Sequence, residues 1–221
     1  HEKRRRLLEK IFFHDVINLV SGMSGLTELL YEDSPEHLKE DIGTLKYSFK
    51  QLVEEILSQK ELLAAENGEI VIKKVYISSL DLLKKLKFIY ENNSIAKGKE
   101  IKIENENDNI LFESDLSLLS RVLENMLKNA LEASIEGDII KIGVIFNRNR
   151  LEFWVQNPKF IPYDIQHQIF KRSFSTKGDG RGLGTYSIKL LSNRYLKGRI
   201  SFTSTEKDGT KFVLSIPNKL S

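Results

Sequence analysis

The sequence of 221 residues contains no cysteine, and its basic and acidic side chains nearly balance. The absence of cysteine excludes disulfides, thiol nucleophiles and zinc–thiolate sites, and it is typical of a protein in the reducing cytoplasm. The balance of 34 basic against 31 acidic residues gives no reason to expect a nucleic-acid partner. No apolar run approaches the roughly 18 residues of a membrane span. We therefore expect a cytoplasmic location without direct membrane contact, which would also suit the soluble part of a longer, membrane-anchored protein.

The first 67 residues have the apolar spacing of two long helices. Apolar residues recur at intervals of 4 and 3, a heptad pattern that buries a narrow seam. Ser34 is a suitable N-cap and Pro35 a suitable first residue for the second helix, so a helical hairpin is predicted. A hairpin cannot bury both stripes alone, so we infer a homodimer that forms a four-helix bundle through residues 1–67. The stripes are Phe12, Val16, Leu19, Met23, Leu26 and Leu30, and Leu38, Ile42, Leu45, Phe49, Leu52 and Ile56.

From residue 68 onward the pattern becomes a mixture of strands and helices. Alternating β-branched residues predict several strands, and a strong amphipathic helix is predicted over 115–134 with Asp115 near its start. Strands and helices mix without a strict βαβ repeat, which favours an α+β sandwich with one mixed sheet covered by helices. The domain boundary is placed at Asn67–Gly68. The predicted strands are 69–77, 99–105, 109–114, 138–147, 150–157, 199–205 and 210–217, and the other predicted helices are 79–93, 162–170 and one from about 182.

Three alternating glycines, Gly180, Gly182 and Gly184, directly precede the last apolar helix. Glycines let backbone N–H groups approach a phosphate closely, and a helix N-terminus adds a favourable dipole. Hydroxyl and cationic side chains belong to the same loop, which favours a phosphate-binding site over a merely flexible turn. Neither a P-loop nor a Rossmann fingerprint fits. The side chains are Ser175, Thr176, Lys177 and Arg181.

Two amides, Asn125 and Asn129, lie one turn apart on the predicted helix over 115–134 and share a face. Burying such a pair on an otherwise apolar helix is costly without polar partners. The amides therefore either line a nucleotide site or form an exposed polar strip. In the first case the Asn129 oxygen is a suitable hard ligand for Mg²⁺. The nearby glycine loop favours the nucleotide site.

The stretch IFFHDVIN, residues 11–18, places a histidine, an acid and an amide on one helix. If Phe12 takes a heptad d position, His14 falls at f, on the outer face of the bundle. Asn18 follows His14 by four residues and shares its face. Taken alone, this histidine is equally compatible with an ordinary helix residue. Its chemistry therefore depends on what the rest of the chain supplies.

Five motifs occur in the order HDVIN, ENMLKNALEA, VQNPKFIP, IFKRSFSTK and GRGLGTYS. This ordered set resembles the H, N, G1, F and G2 boxes of the sensor histidine kinases of two-component systems. The resemblance covers nearly the whole chain. It implies that residues 1–67 are a dimerisation and histidine-phosphotransfer domain. Residues 68–221 would be an ATP-binding domain with the fold of gyrase B, MutL and heat-shock chaperone ATPases.

The resemblance implies a role for each polar residue of the first motif. His14 would be the phosphoacceptor, and Asp15 would accept its Nδ1–H and raise the nucleophilicity of Nε2. The phosphoryl group would pass to an aspartate in the receiver domain of a response regulator. Asn18 would orient the water that hydrolyses that phosphoryl-aspartate, which implies a phosphatase activity as well.

The resemblance also implies ATP and Mg²⁺ as cofactors. Asn125 and Asn129 would line the nucleotide, with Mg²⁺ on Asn129, because phosphoryl transfer depends on positioning and charge neutralisation. The glycine loop would hold the phosphates together with the start of the following helix. That start comprises Leu183, Gly184 and Thr185.

The G1 motif departs from the family pattern, which has an acid followed by GxG where the carboxylate accepts from the adenine amino group. Here Asn157 takes the place of the acid, and no glycine follows it. An amide oxygen still accepts such a bond, without a charge. We therefore expect retained but weaker ATP binding. The alternatives are a dimeric pseudokinase scaffold and an ATPase of the same fold, although this chain has Asn125 where such ATPases carry their water-activating acid.

Overall fold

The computed structural model describes residues 2–104, 109–171 and 183–220. The chain divides into two compact units, His1–Ile70 and Val71–Ser221. The first unit contains two helices, α1 (Glu2–Asp33) and α2 (Glu36–Asn67). Gly68 ends α2 in the left-handed conformation, at φ 74°, which costs glycine least.

The turn between α1 and α2 differs from the prediction at Ser34. Ser34 does not cap α2; its Oγ instead donates back to the Tyr31 carbonyl of α1 at 3.2 Å. Pro35 is the capping residue of α2 and provides no side-chain hydrogen bond. A residue before proline is steered toward extended backbone, so the serine is left at the end of α1 rather than at the start of α2.

The face that α1 turns toward α2 is not the predicted heptad stripe. Val20 and Thr27 of α1 are buried, whereas the stripe residues Phe12, Leu19 and Leu26 are 60–62% exposed. Lys46 of α2 reaches Glu28 of α1 at 2.6 Å. A single hairpin therefore leaves most of the first stripe exposed. This agrees with the expectation that one hairpin cannot bury both stripes.

The second unit contains a five-stranded mixed sheet, in the order β2-β4-β5-β7-β6, which confirms the predicted fold class. The β2–β4 pair is parallel and the other pairs are antiparallel. The strands of this sheet are β2 (Glu100–Ile103), β4 (Ile139–Asn147), β5 (Arg150–Asn157), β6 (Arg199–Thr205) and β7 (Gly209–Pro217). The helices are α3 (Ser79–Glu91), a 3₁₀ turn (Ser94–Ala96), α4 (Leu116–Ala133), α5 (Tyr163–Gln166) and α6 (Leu183–Arg194).

Two strands form a separate antiparallel sheet that the one-sheet prediction lacks: β1 (Lys74–Ser78) and β3 (Leu111–Asp115). β1 begins later than predicted because the Lys73 amide donates to the Asp115 carboxylate at 2.7 Å rather than to a strand ladder. The same carboxylate caps α4 by accepting from the Leu118 amide at 3.0 Å. Asp115 thus joins the small sheet to the helix that carries the candidate nucleotide residues.

The helix predicted over 162–170 is shorter than expected and ends at Gln166. Beyond it the Lys171 amide donates to the Gln168 carbonyl at 2.8 Å, a tight turn. This turn lets Phe170 pack against Phe202 and Phe212, with ring centroids 5.7 and 6.1 Å apart. Burial of the aromatic ring in this cluster replaces the last helical turns.

One face of the five-stranded sheet is buried and forms the core with the helices. On β5, Leu151, Phe153 and Val155 are at most 2% exposed, while Glu152 and Gln156 on the alternate positions are only partly buried. The core side of α4 contributes residues that are at most 1% exposed: Leu119, Val122, Leu123, Met126, Leu127 and Leu131. Across the described ranges, no helix has the length and apolar character needed to cross a membrane.

Candidate functional site

His14 lies on the exposed side of α1 and contacts both polar residues predicted to act with it. Its side chain is 72% exposed, and its Nδ1 lies 3.0 Å from Asp15 Oδ1. The Asn18 Nδ2 lies 3.2 Å from His14 Nε2 and 3.3 Å from His14 Nδ1. A carboxylate can only accept, so Nδ1 carries the proton in this arrangement and Nε2 accepts from the Asn18 amide. The ring nitrogen that faces away from Asp15 is therefore the nucleophilic one, and Asn18 lies directly beside it.

Asn125 and Asn129 lie on α4, each partly buried. The Nδ2 atom of Asn129 is buried and has no hydrogen-bond partner among the described residues. Burying an amide N–H without a hydrogen-bond partner costs free energy. The Asn129 amide therefore suits a site where a bound ligand supplies the missing acceptor. The amide oxygen of Asn129 is the type of hard ligand that Mg²⁺ takes, and its Nδ2 can donate to a phosphate oxygen.

Gly184, in the first turn of α6, faces Asn129. A Cβ atom at Gly184 would lie 3.9 Å from Asn129 Oδ1, which places the start of α6 beside this amide. Thr185 follows in the same turn and is partly buried, and Leu183 begins the helix. The N-terminus of α6 therefore adjoins the orphaned amide, an arrangement suited to an anionic group. The other predicted phosphate ligands lie outside the described residues: Ser175, Thr176, Lys177, Gly180, Arg181 and Gly182.

Asn157 ends β5, is 4% exposed, and is joined to the same helix. Its Nδ2 donates to the backbone carbonyl of Ala130 at 3.1 Å. Ala130 directly follows Asn129, so the structure brings Asn157 and the candidate Mg²⁺ residue to one stretch of α4. Among the residues that the structure describes, no donor reaches the Asn157 side-chain oxygen, which can therefore accept from a ligand amino group.

The segment after Asn157 is shaped by residues that sequence reasoning missed. Ser204 on β6 and Thr210 on β7 make hydrogen bonds to the backbone of this segment. Lys159 turns its side chain to Asp138 at 3.1 Å. A hydrogen bond from the Ile135 amide, followed by the Lys159 ammonium, lowers the pKa of Asp138. Hydroxyl residues are common in strands, so no sequence signal marks Ser204 or Thr210.

Glu124 lies next to Asn125 on α4 and is a partly buried acid. Burial raises its pKa, and the charges of Lys85 and Arg121 offset part of that effect. Burial also lowers the pKa of Arg121. Within the described ranges no three histidine or acidic side chains cluster as a metal cage. A single amide oxygen, that of Asn129, suits a Mg²⁺ ion that takes its other ligands from nucleotide phosphates.

Comparison with known proteins places this geometry in context. Residues 114–220 match the family model described as "Histidine kinase-, DNA gyrase B-, and HSP90-like ATPase". The match includes both amides of α4, Asn157 and the start of α6. Sporulation kinase A of Bacillus subtilis (strain 168) is 25% identical over 210 residues, which cover 93% of this chain and 33% of that protein. This chain therefore spans about a third of the length of that curated relative.

Two solved structures share the fold over nearly the whole chain. Full-length ShkA in complex with AMPPNP gives a TM-score of 0.78 at 18% identity, and the match covers 96% of this chain and 46% of ShkA. The histidine kinase ThkA in complex with the response regulator protein TrrA gives a TM-score of 0.64 at 23% identity, and the match covers 99% of this chain and 61% of ThkA. At these identities the two structures support the fold of both units.

Proposed function

We propose, on the premise that this chain is a sensor histidine kinase whose residues 114–220 match the ATPase family model, that it autophosphorylates His14 and passes the phosphoryl group to an aspartate of a response regulator. The single observation that carries the proposal is the 3.0 Å contact between His14 Nδ1 and Asp15 Oδ1 on an exposed helix face. It leaves Nε2 as the nucleophile on a side chain that solvent, and hence a second domain, can reach.

The proposed step moves one phosphoryl group. The Nε2 lone pair attacks the γ-phosphorus of ATP, and the bond from that phosphorus to the β,γ-bridging oxygen breaks as ADP leaves. Asp15 keeps the Nδ1–H hydrogen bond and offsets the positive charge that develops on the ring. Bound Mg²⁺ would neutralise phosphate charge beside Asn129, while Asn129 and the N-terminus of α6 orient the phosphates.

The Asn18 amide supports a second activity of the same helix face. Its Nδ2 lies 3.2 Å from His14 Nε2 and 3.3 Å from His14 Nδ1, so it stands against the ring beside the nucleophilic nitrogen and must turn away before His14 can be phosphorylated. Turned outward, the same amide can orient a water molecule toward a phosphoryl-aspartate placed against His14. We therefore propose that this protein also dephosphorylates its response regulator.

The exposed apolar stripe of α1 supports a homodimer. Five stripe residues are 41–62% exposed in the single hairpin: Phe12, Leu19, Met23, Leu26 and Leu30. An apolar strip of this length on a helical hairpin needs a partner, and a second copy presents the identical strip. Pairing the two strips forms a four-helix bundle and leaves His14, on another side of α1, accessible.

Incubation with γ-labelled ATP and Mg²⁺ tests the kinase. We expect acid-labile, base-stable label on the wild type and none on His14→Gln, while His37→Gln, a change at another exposed histidine, keeps the label. Label that survives in His14→Gln would contradict the assignment. Binding of ADP by calorimetry without any label would favour the pseudokinase scaffold, and sustained ATP hydrolysis without label would favour the ATPase.

A further inference from the structure

Two buried hydroxyls, Ser204 on β6 and Thr210 on β7, hold the backbone that follows Asn157. The Ile161 amide donates to Ser204 Oγ at 2.8 Å, and Thr210 Oγ1 donates to the Lys159 carbonyl at 2.7 Å. Because the Thr210 proton is used in that bond, the Ser204 hydroxyl donates to Thr210 Oγ1 at 2.8 Å. The three bonds form one directed chain that brackets Phe160.

The bonds of this hydroxyl clamp, Ser204 and Thr210, are shielded from water. Ser204 is 8% and Thr210 4% exposed, so loss of either hydroxyl leaves buried polar groups without partners. Chained hydrogen bonds in a low-dielectric setting also strengthen one another. The clamp therefore has more influence on the 159–161 backbone than the partly exposed Lys159–Asp138 ion pair has.

Other contacts complete the fixation of this segment. Gln166 Nε2 donates to the Ile161 carbonyl at 2.8 Å. The Phe160 ring packs edge-on against Tyr163, with centroids 5.1 Å apart. The carbonyl of Lys159 and both backbone groups of Ile161 are thus bonded. The segment 158–162, which reads Pro-Lys-Phe-Ile-Pro and contains no glycine, is thus held in one conformation.

The clamp is directly coupled to Asn157. Thr210 is the cross-strand partner of Asn157 in the β5–β7 ladder. Gly209, at φ 71°, lets the β6–β7 turn approach so closely that a Cβ there would meet the Asn157 carbonyl and Pro158. The hydroxyls thus act on the backbone at the point where Asn157 enters the candidate nucleotide site.

We propose that Ser204 and Thr210 are positioning residues for the nucleotide base. They hold residues 159–161 in one conformation directly after Asn157. The inference rests on the proposed function, in which Asn157 accepts from the base. The bonds of the clamp run to Lys159 and Ile161, whereas Asn129 and the start of α6 are the groups proposed to orient the phosphates, so we expect the clamp to affect base binding and not the phosphoryl-transfer step.

The test compares Thr210→Val, which keeps the shape but removes the hydroxyl, with Ser204→Ala and with Thr210→Ser, which restores a hydroxyl. Ser201→Ala, at an exposed position on the same strand, is the matched control. We expect Thr210→Val and Ser204→Ala to raise the Kd for ADP and the KM for ATP by about 5- to 10-fold, as expected for a lost buried hydrogen bond, with kcat unchanged. Thr210→Ser and Ser201→Ala should stay within about 2-fold of wild type.

Amide hydrogen exchange at Ile161 provides the second readout. We expect faster exchange at this amide in both hydroxyl-deleted variants, with Trp154 fluorescence showing that the unit stays folded. Equal ADP affinity in wild type and both variants, or a fall in kcat at constant KM, would overturn the positioning role alone. Failure of the wild type to bind ADP would instead refute the nucleotide site and the positioning role with it.

Discussion

Asn157 donates its side-chain Nδ2 to the backbone carbonyl of Ala130 at 3.1 Å, which ties the end of β5 to α4. A carboxylate at this position could not make the bond, because it has no N–H to donate. The bond also fixes the amide so that its oxygen faces away from the Ala130 carbonyl. The residue that departs from the family pattern is thus matched to its own surroundings, and the departure alone is no evidence of a degenerate site.

Asn157→Asp, which restores the family's acid, should therefore weaken the protein. The buried carboxylate would face the Ala130 carbonyl without a donor, so we expect a loss of about 1–3 kcal/mol in the free energy of unfolding and no gain in ADP affinity. Burial would raise the pKa of the new carboxyl, and its protonated form can donate to Ala130. The deficit should therefore shrink as pH falls from about 7 to 4.5 in urea titrations. Asn147→Asp, at an exposed position, controls for the added charge, and tighter ADP binding by Asn157→Asp would contradict this account.

Asn18→Ala should separate the two proposed activities of the His14 face. Removal of the amide frees His14 Nε2, so autophosphorylation should persist or rise by up to about 3-fold, because an exposed hydrogen bond contributes little. Loss of the water-orienting amide should slow dephosphorylation of the response regulator by about 10-fold or more. Both rates can be followed with labelled phosphate. Loss of autophosphorylation with intact phosphatase activity would reverse the assigned role.

Leu26→Glu places a charge within the exposed apolar stripe of α1. Two copies facing each other would bury two like charges, so we expect the dimer to dissociate at micromolar concentration in sedimentation velocity. Ser21→Glu, on the opposite side of the same helix, adds the same charge and should leave the dimer intact. A monomeric wild type, or equal sedimentation of both variants, would refute the bundle.

Glu124→Gln tests the cost of the partly buried acid beside Asn125. Its raised pKa means that the folded state binds the proton more tightly than the unfolded state, so its contribution to stability declines as pH rises through the folded pKa. The glutamine variant should be more stable than wild type by up to about 1 kcal/mol at neutral pH, and the difference should vanish toward pH 4. A glutamine variant that is less stable than wild type at neutral pH, with a deficit that shrinks in acid, would show that the charges of Lys85 and Arg121, rather than burial, dominate.

Much of the architecture could be predicted because local signals agreed with it. Asp115 caps α4 as its position before an amphipathic run suggests. Arg148 and Asn149 form the tight turn between β4 and β5, with φ of 47° and 63°. The spacing of apolar residues did not reveal whether the apolar stripe of α1 faces α2 or the solvent. Leu19 and Val20 are adjacent apolar residues, yet only Val20 faces α2, because the helix rotates about 100° per residue.

The candidate site was predictable only where side chains carry the chemistry. His14, Asp15 and Asn18 meet because helical spacing alone brings them together. The Ala130 carbonyl, which orients Asn157, is a backbone group, so no residue type in the sequence indicates its role. Ser204 and Thr210 resemble ordinary strand residues until the sheet places them against the Lys159 carbonyl and the Ile161 amide.

Gly143→Ala tests a contact on the sheet face opposite the helices. A Cβ there would lie 2.6 Å from Trp154 Cζ2, and the Lys211 Nζ lies over the same indole, 4.1 Å from the ring centroid. The indole must shift, so we expect a loss of about 1–3 kcal/mol in urea titrations and a changed emission from the single tryptophan. Gly25→Ala, in an open helical position with nothing within 4 Å, should instead stabilise by up to about 1 kcal/mol. ADP affinity should persist in Gly143→Ala because α4 covers the other face, and loss of binding without loss of stability would place the nucleotide on the tryptophan side.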